Sequence, residues 1–183
     1  HSPWPRNSTE GPPLCSTSAT PMFPDGDAIS SGQVGKNSMR HTTGSVYAIF
    51  DKPVHMYRGT TMAGIIRDEA RHDPSRGFVG GYEFETLSLG LPFMAAFLDP
   101  GAWGRSFTTA LDHYDHMAGL WIVGEDMPRG ENRITPHADM KDEHGMPIAD
   151  VHFDDHPNDT AMRNHAYKQA SALYAAVGAT RTF

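Results

Sequence analysis

Hydrophobic and polar residues alternate with the two-residue period of a β-strand in two stretches, SVYAIF and GYEFETLSL. Apolar or β-favouring positions share one face of each predicted strand: Val46, Ala48 and Phe50 in the first, and Tyr82, Phe84 and Thr86 in the second. Asp51 and Pro53 end the first pattern, while Glu83 and Glu85 fall on the polar face of the second. A short apolar run, LWIVG, predicts a third and buried strand, and ATRTF predicts the start of a fourth.

Two other stretches have the spacing of amphipathic helices. The first has Asp99 as a candidate N-cap and Pro100 at the first helical position, and it runs to Gly119. Its hydrophobic positions are Trp103, Phe107, Leu111, Tyr114 and Met117. The second begins near Asn158, ends at Gly178, and carries the stripe Met162, Ala166, Ala170, Leu173 and Val177. Both stretches are therefore predicted to form helices.

Between these helices, NRITPHAD and MPIADVHFD read as two extended arms joined by KDEHG. Gly145 in the connection can adopt the positive φ that a tight turn requires. This segment is predicted to be a β-hairpin, and the combination of antiparallel strands with two long helices predicts an α+β fold.

Composition indicates one main globular domain: 183 residues, 38% of them hydrophobic. The net charge of -7 and the lack of a Lys/Arg cluster argue against a nucleic-acid partner. Cys15 is the only cysteine, which excludes an intrachain disulfide. The most apolar run, LSLGLPFMAAFL, is too short to span a bilayer, so we expect no membrane-spanning segment. Residues 1–34 are rich in Pro, Ser, Thr and Gly, which predicts irregular chain.

The hairpin concentrates histidine and acidic side chains. His137 lies on one arm, and His152, Asp154 and His156 follow at a spacing of two on the other, which places them on one strand face. Two imidazoles with a carboxylate suit Zn, Mn or Fe(II), so a metal site is one interpretation. The other is a solvated hairpin face whose acids, Asp154 and Asp155, also cap the next helix, because negative charge is favoured at a helix N-terminus.

Two further clusters allow the same pair of interpretations. His113 and His116 form an HxxH pattern off the apolar stripe of the first predicted helix, and such a face is commonly solvated. Three arginines could hold an anion by bidentate contacts, or pair on the surface with neighbouring acids. They are Arg58, Arg67 and Arg71, and the acids are Asp68, Glu69 and Asp73. The sequence contains no GxSxG, GxGxxG or Walker motif.

Two blocks of the chain resemble the glucose-methanol-choline (GMC) family of FAD-dependent oxidoreductases, closest to its bacterial sugar and sugar-acid dehydrogenase branch. The family pattern VGxNxxxH falls on Val34, Gly35, Asn37 and His41. A pattern like NRVTLxxxxKDxxGxP falls on residues 132–147, and HPNDxxM continues it from His156 to Met162. The likeness spans most of residues 30–180. It departs from the family at STEGPPLCSTSA and at Pro136, where the family usually has an aliphatic residue.

The resemblance implies a domain plan and a cofactor. Residues 1–34 would lead from the flavin domain, and residues 35–183 would form the substrate-binding domain, an α+β unit with helices packed on one face of a mixed or antiparallel sheet. Asn37 and His41 would lie on the FAD side. The family's GxGxxG would precede residue 1, and its catalytic histidine, in a motif like HxxGTxRM, would follow Phe183, so this segment alone is expected to be inactive. In this interpretation the hairpin histidines are scaffold rather than metal ligands.

The same resemblance implies an activity and partners. The intact protein would oxidise the CH–OH group of a sugar, polyol or related alcohol by hydride transfer to FAD. Members of that branch often face the periplasm or the membrane and pass electrons to a cytochrome. A metal-binding domain built on His137, His152, Asp154 and His156, or a noncatalytic interaction domain, are the alternatives.

Overall fold

The computed structural model describes residues 32–90, 98, 101 and 103–183, without the side chains of residues 106 and 110. Most of the predicted irregular stretch, and the predicted cap residues Asp99 and Pro100, lie outside the described residues. The chain divides into two compact units. One, the hairpin unit, comprises His1–Arg40 and Met127–Asp155; the other, the sheet unit, comprises His41–Asp126 and His156–Phe183.

The sheet unit contains five described strands and two described helices. In chain order they are β1 (Thr42–Ile49), β2 (Ile65–Ile66), β3 (Tyr82–Thr86), α1 (Gly104–Leu111), β4 (Met117–Gly124), α2 (Pro157–Ala176) and β7 (Arg181–Thr182). The strand order is β2-β3-β4-β1-β7, and every neighbouring pair is antiparallel. The predicted strands and the α+β class are confirmed.

The sheet separates two hydrophobic clusters because successive side chains of a strand point to opposite faces. Val46 and Ala48 of β1 pack with Met162 and Ala166 of α2. Tyr47 and Ile49 belong to the second cluster, which also contains Met56, Leu87, Leu89 and Met117. Phe50 packs with the first cluster, as the alternation in SVYAIF predicts. Burial in the first cluster raises the pKa of the Tyr82 and Tyr174 phenols.

The stripe of α2 differs from the prediction at its C-terminal end. Met162, Ala166, Ala170 and Tyr174 are buried, so the stripe advances by steps of four. Leu173 packs only at the side of the core, and Val177 is 63% exposed. The prediction that Val177 lies on the stripe is wrong. The chain leaves the helix at this residue, and Gly178 follows with φ +87°.

The N-terminus of α2 is capped by a histidine. The His156 Nδ1 accepts a hydrogen bond from the Asn158 backbone N–H at 3.0 Å, and Pro157 occupies the first helical position. The capping side chain is therefore His156 rather than the predicted Asp154 or Asp155.

Replacing His156 with alanine is expected to lower the free energy of unfolding by about 1 kcal/mol, because the cap acceptor is lost. His156→Asp keeps an acceptor and should retain most of the stability. Thermal unfolding followed by circular dichroism measures both, with the exposed His144→Ala as control. Equal stability of His156→Ala and the parent chain would contradict a capping role.

The first predicted helix is much shorter than expected. It covers Gly104–Leu111, and Tyr114–His116 forms a 3-10 turn instead. Met117 is the first residue of β4 and pairs with Ile49 of β1. Its helical spacing is overridden by strand pairing, because cross-strand packing outweighs local preference. Trp103 precedes the helix and is 85% exposed, so its assignment to the apolar stripe is also wrong.

The hairpin unit confirms the predicted β-hairpin as β5 (Arg133–Lys141) and β6 (Pro147–His152). Gly145 has φ +80°, and the Asp142 carboxylate accepts from the backbone N–H groups of His144 and Met146, which fixes the turn. Pro136 pairs with Ala149, and the register of the two strands shifts between Pro136 and Lys141. A proline fits there because a bulged, two-stranded ladder requires no amide donor at that position.

Candidate functional site

The segment that carries the VGxNxxxH pattern has an unusual backbone. Gly35, Asn37 and His41 all have positive φ, at +77°, +58° and +68°. Such a conformation is open to glycine but costs other residues of order 1 kcal/mol each. Asn37 and His41 are therefore held in place by the surrounding structure, and clustered left-handed residues of this kind are characteristic of functional sites.

Gly35 is fixed by contact with the base of the hairpin. The Ile134 N–H donates to the Gly35 carbonyl at 2.7 Å, and a Cβ on Gly35 would collide with the Ile134 carbonyl oxygen. The Ser38 N–H donates to the Asn132 carbonyl at 2.8 Å. The 35–38 segment therefore runs beside the start of β5 and is joined to it by backbone hydrogen bonds.

Asn132 organises this base from within. Its side chain is buried, with Oδ1 accepting from the Asp154 N–H at 2.9 Å and Nδ2 donating to the Asp154 carbonyl at 3.0 Å. The carboxamide thus reproduces the pairing of a peptide group across the two arms. In the sequence, Asn132 is marked only by the family pattern, because a buried residue between polar neighbours belongs to no hydrophobic period.

Arg40 also joins the 35–40 segment to the open end of the hairpin. The Arg40 guanidinium lies 4.3 Å from the centre of the Phe153 ring and 3.6 Å from the Asp155 carboxylate. Cation–π contact and ion pairing together hold the end of the 35–40 segment against the second arm. The hairpin unit therefore supports the backbone on which Asn37 lies.

The two residues predicted on the FAD side are placed in separate units. Asn37 belongs to the hairpin unit, and its Nδ2 donates to the Gln33 Oε1 at 2.9 Å. His41 begins the sheet unit and is exposed. Each occupies a constrained backbone position, and each remains a predicted cofactor contact.

The sheet unit has a cavity at the β1–β7 edge that the sequence did not reveal. Its volume is about 330 Å³, and a second hollow of about 180 Å³ shares three of its wall residues. The first is lined by Ile49, Phe50, Asp51, His113, His116, Thr180 and Arg181. The HxxH pattern predicts a solvated helix face, whereas the chain reversal after α1 brings His113 and His116 to the cavity beside β7.

The metal-binding alternative finds no support in this geometry. The His137 Nδ1 accepts from the backbone N–H groups of Asp139 and Met140, and His156 caps α2 in the other unit. His152 lies 3.4 Å from the Asp154 carboxylate, which is an exposed pair rather than a cluster. Across the part of the chain that the structure describes, no three histidine, cysteine or acidic side chains are grouped as metal ligands.

The contacts of the predicted arginine cluster also differ from the prediction. Arg67 pairs with Glu83 at 3.0 Å, and the partner of Glu69 is Arg76, at 2.5 Å, rather than Arg67 or Arg71. Arg58 lies 5.5 Å from the Tyr57 ring. Arg67 therefore pairs with an acid outside the predicted set, and Glu69 pairs with an arginine outside it.

Comparison with known proteins gives one informative match. No family model matches the chain. The chain is 32% identical over 178 residues to a 2-methyl-1,2-propanediol dehydrogenase of Mycolicibacterium austroafricanum. The match covers 93% of this chain and 32% of that protein, so the chain spans about a third of the length of its curated relative. The sequence is thus similar to a segment of an alcohol-oxidising dehydrogenase.

In residues 32–90, 98, 101 and 103–183, no helix has both the length and the hydropathy needed to cross a membrane.

Proposed function

We propose that this chain is the substrate-domain portion of a GMC-type FAD-dependent oxidoreductase that oxidises the CH–OH group of a small diol, polyol or sugar. The observation that carries the proposal is the 32% identity to a diol dehydrogenase along nearly the whole chain. The motif residues give it local support, since Gly35 and Asn132 have packing roles that require those residue types.

The residues of this chain would contribute to one part of an FAD site. FAD has a flavin ring with polar edges and a pyrophosphate, and the latter is commonly held by a glycine-rich loop at a helix N-terminus. This sequence contains no GxGxxG loop, so its contribution would be limited to the flavin side. Asn37 and His41 are suited to that role because both offer side-chain hydrogen bonds from backbone positions that are already fixed.

FAD, when bound, supplies the acceptor for the hydride. The chain itself would contribute positioning: the start of the hairpin holds Asn37 in a left-handed conformation, and His41, also left-handed, directly precedes β1. Preorganised polar groups of this kind add to catalysis because they cost no reorganisation when the substrate reacts. None of the described side chains is assigned as the base that takes the hydroxyl proton.

The substrate would be a small alcohol with a neighbouring hydroxyl group. This part of the proposal is supported by the similarity to a dehydrogenase of a vicinal diol and by the polyol class that the motif resemblance implies. A cytochrome as electron acceptor and a periplasmic or membrane-associated location complete the proposal by the same resemblance.

The decisive experiment uses the complete gene product that contains this chain. The purified protein should carry a flavin spectrum that bleaches anaerobically on addition of 2-methyl-1,2-propanediol or a related diol. A purified protein without flavin, or with a flavin that no alcohol or sugar reduces, would contradict the proposal.

Substitutions at Asn37 and His41 distinguish side-chain from backbone roles in that protein. Asn37→Gly and His41→Gly keep the positive φ but remove the side chain, so we expect weaker FAD retention or slower flavin reduction with little loss of stability. His144→Gly, in the exposed hairpin turn, is the matched control. Unchanged flavin content and reduction rate in both variants would remove these residues from the cofactor site.

A further inference from the structure

We propose that the cavity at the β1–β7 edge binds a small hydroxylated carboxylate, with Arg181 as the anion contact and Asp51 as acceptor for the ligand hydroxyl. Binding there needs no cofactor and is separate from the proposed oxidation. The cavity belongs to the sheet unit, and all of its wall residues lie within that unit.

The register of β7 on β1 places Arg181 at the cavity. Arg181 pairs directly with Ile49, and directly opposed residues of an antiparallel pair project to the same face. That face also carries Tyr47, on whose ring Phe183 stacks at a centroid distance of 5.9 Å. The guanidinium therefore lies over an apolar floor, and its carbon lies 5.3 Å from the Phe183 ring centre.

Arg181 and Asp51 line the same cavity without pairing. Within the described residues, Arg181 has the Phe183 ring as its neighbour and makes no ion pair, and Asp51 makes no ion pair or side-chain hydrogen bond. Opposite charges that are held apart across one cavity suit a ligand with both an acceptor group and a donor group. A hydroxy acid meets this requirement, because its carboxylate accepts two bonds from a guanidinium and its hydroxyl donates to a carboxylate.

The two histidines complete the polar wall. The His116 Nδ1 lies 2.9 Å from the Phe50 carbonyl oxygen, which can only accept, so this nitrogen carries a proton and the ring is fixed in orientation. His116 Nε2 lies 3.8 Å from the Asp115 carboxylate. The His113 side chain makes no hydrogen bond with any described residue and lines both hollows, where its ring nitrogens can meet the ligand.

The shape of the site fits a small organic molecule rather than a bare ion. The larger hollow, at about 330 Å³, lies at the lower end of the range for small-molecule sites, and the smaller one adds the apolar side chains of Leu98, Met117 and Phe183. A short hydrocarbon part can therefore pack against these apolar side chains while the polar groups face Arg181 and Asp51.

Isothermal titration of the complete gene product that contains this chain with lactate tests the proposal. Saturable one-to-one binding is expected, and Arg181→Gln should raise the Kd about tenfold because a charge-assisted contact is lost. Arg133→Gln in the hairpin unit, exposed and outside the cavity, is the matched control and should leave the Kd unchanged. Circular dichroism verifies that each variant is folded.

Acetate separates the two halves of the site. It lacks the hydroxyl, so Asp51→Ala should tighten acetate binding by removing a like charge, and should reduce the preference for lactate over acetate by removing the hydroxyl acceptor. Absence of saturable lactate binding, equal loss in Arg181→Gln and Arg133→Gln, or an unchanged lactate preference in Asp51→Ala would each overturn the proposal. Its failure would leave the flavin experiment unaffected, since the two use different ligands and different residues.

Discussion

Replacing Met162 with alanine is expected to lower the free energy of unfolding by about 2–5 kcal/mol. Met162 is fully buried at the centre of the cluster between α2 and the sheet. The loss combines the transfer free energy of the removed atoms with the cost of the cavity left behind, which closely packed neighbours fill only in part. Chemical denaturation, with the midpoint and slope analysed together, measures it.

Two glycines give this prediction a sharper form. A Cβ on Gly124 would lie 2.7 Å from the Met162 sulfur, and a Cβ on Gly80 would lie 3.2 Å from its terminal methyl carbon. Gly124→Ala should therefore destabilise the parent chain, yet cost less in the Met162→Ala background, where the sulfur is absent. A double-mutant cycle measures this coupling.

The control for the cycle is Met140→Ala on the hairpin, where the side chain is 51% exposed and little loss is expected. Additive effects of Gly124→Ala and Met162→Ala would show that the close approach does not constrain the core. A loss in Met162→Ala no larger than in Met140→Ala would contradict the assigned burial.

The second large effect is expected at Asn132. Asn132→Ala removes both side-chain hydrogen bonds to the Asp154 backbone and leaves a donor and an acceptor without their partner. Each unsatisfied buried group costs about 1–3 kcal/mol, so the hairpin unit should lose a substantial part of its stability. Hydrogen exchange at the Asp154 and Ser38 amides reports this locally, because both are bonded to Asn132.

Asn132→Asp distinguishes hydrogen bonding from packing at the same volume. Its carboxylate still accepts from the Asp154 N–H but opposes the Asp154 carbonyl oxygen, to which the amide had donated. Protonation restores a donor, so folding favours the protonated form and raises the pKa of this carboxyl. The variant should therefore be least protected at neutral pH and regain protection as the pH falls through that raised pKa. Asn158→Asp, at an exposed loop contact with Val79, is the control. Protection that did not change with pH would assign the role to packing alone.

The elements with a strong period were predictable from the sequence. The alternation correctly predicts the burial of Val46, Ala48, Tyr82 and Phe84. The hairpin turns at Gly145, as its turn chemistry predicts. The second helix was predicted nearly to its ends. The first helix was not, because the position of Met117 fits both a helical stripe and a strand. Its pairing with Ile49 depends on residues that are far away in the chain.

The candidate sites were less accessible to sequence reasoning. The resemblance pointed to Asn37 and His41, and the structure adds the left-handed backbone at both, which no periodicity encodes. The cavity was missed because its wall comes from distant segments around Asp51, His113 and Arg181. Asp159 was also missed: it is buried in the first turn of α2, where the positive end of the helix dipole tolerates a carboxylate.

The pairing of Thr42 with Gly124 also sets the order in which the chain can fold. The β5–β6 hairpin closes a short loop between Lys141 and Pro147, whereas the central β1–β4 ladder requires two segments separated by most of the sheet unit to meet. Loop closure over such a distance carries a large entropic cost before any contact repays it. After dilution from denaturant, amides of the hairpin should therefore gain protection first, and those of β1 and β4 should follow together in a slower phase.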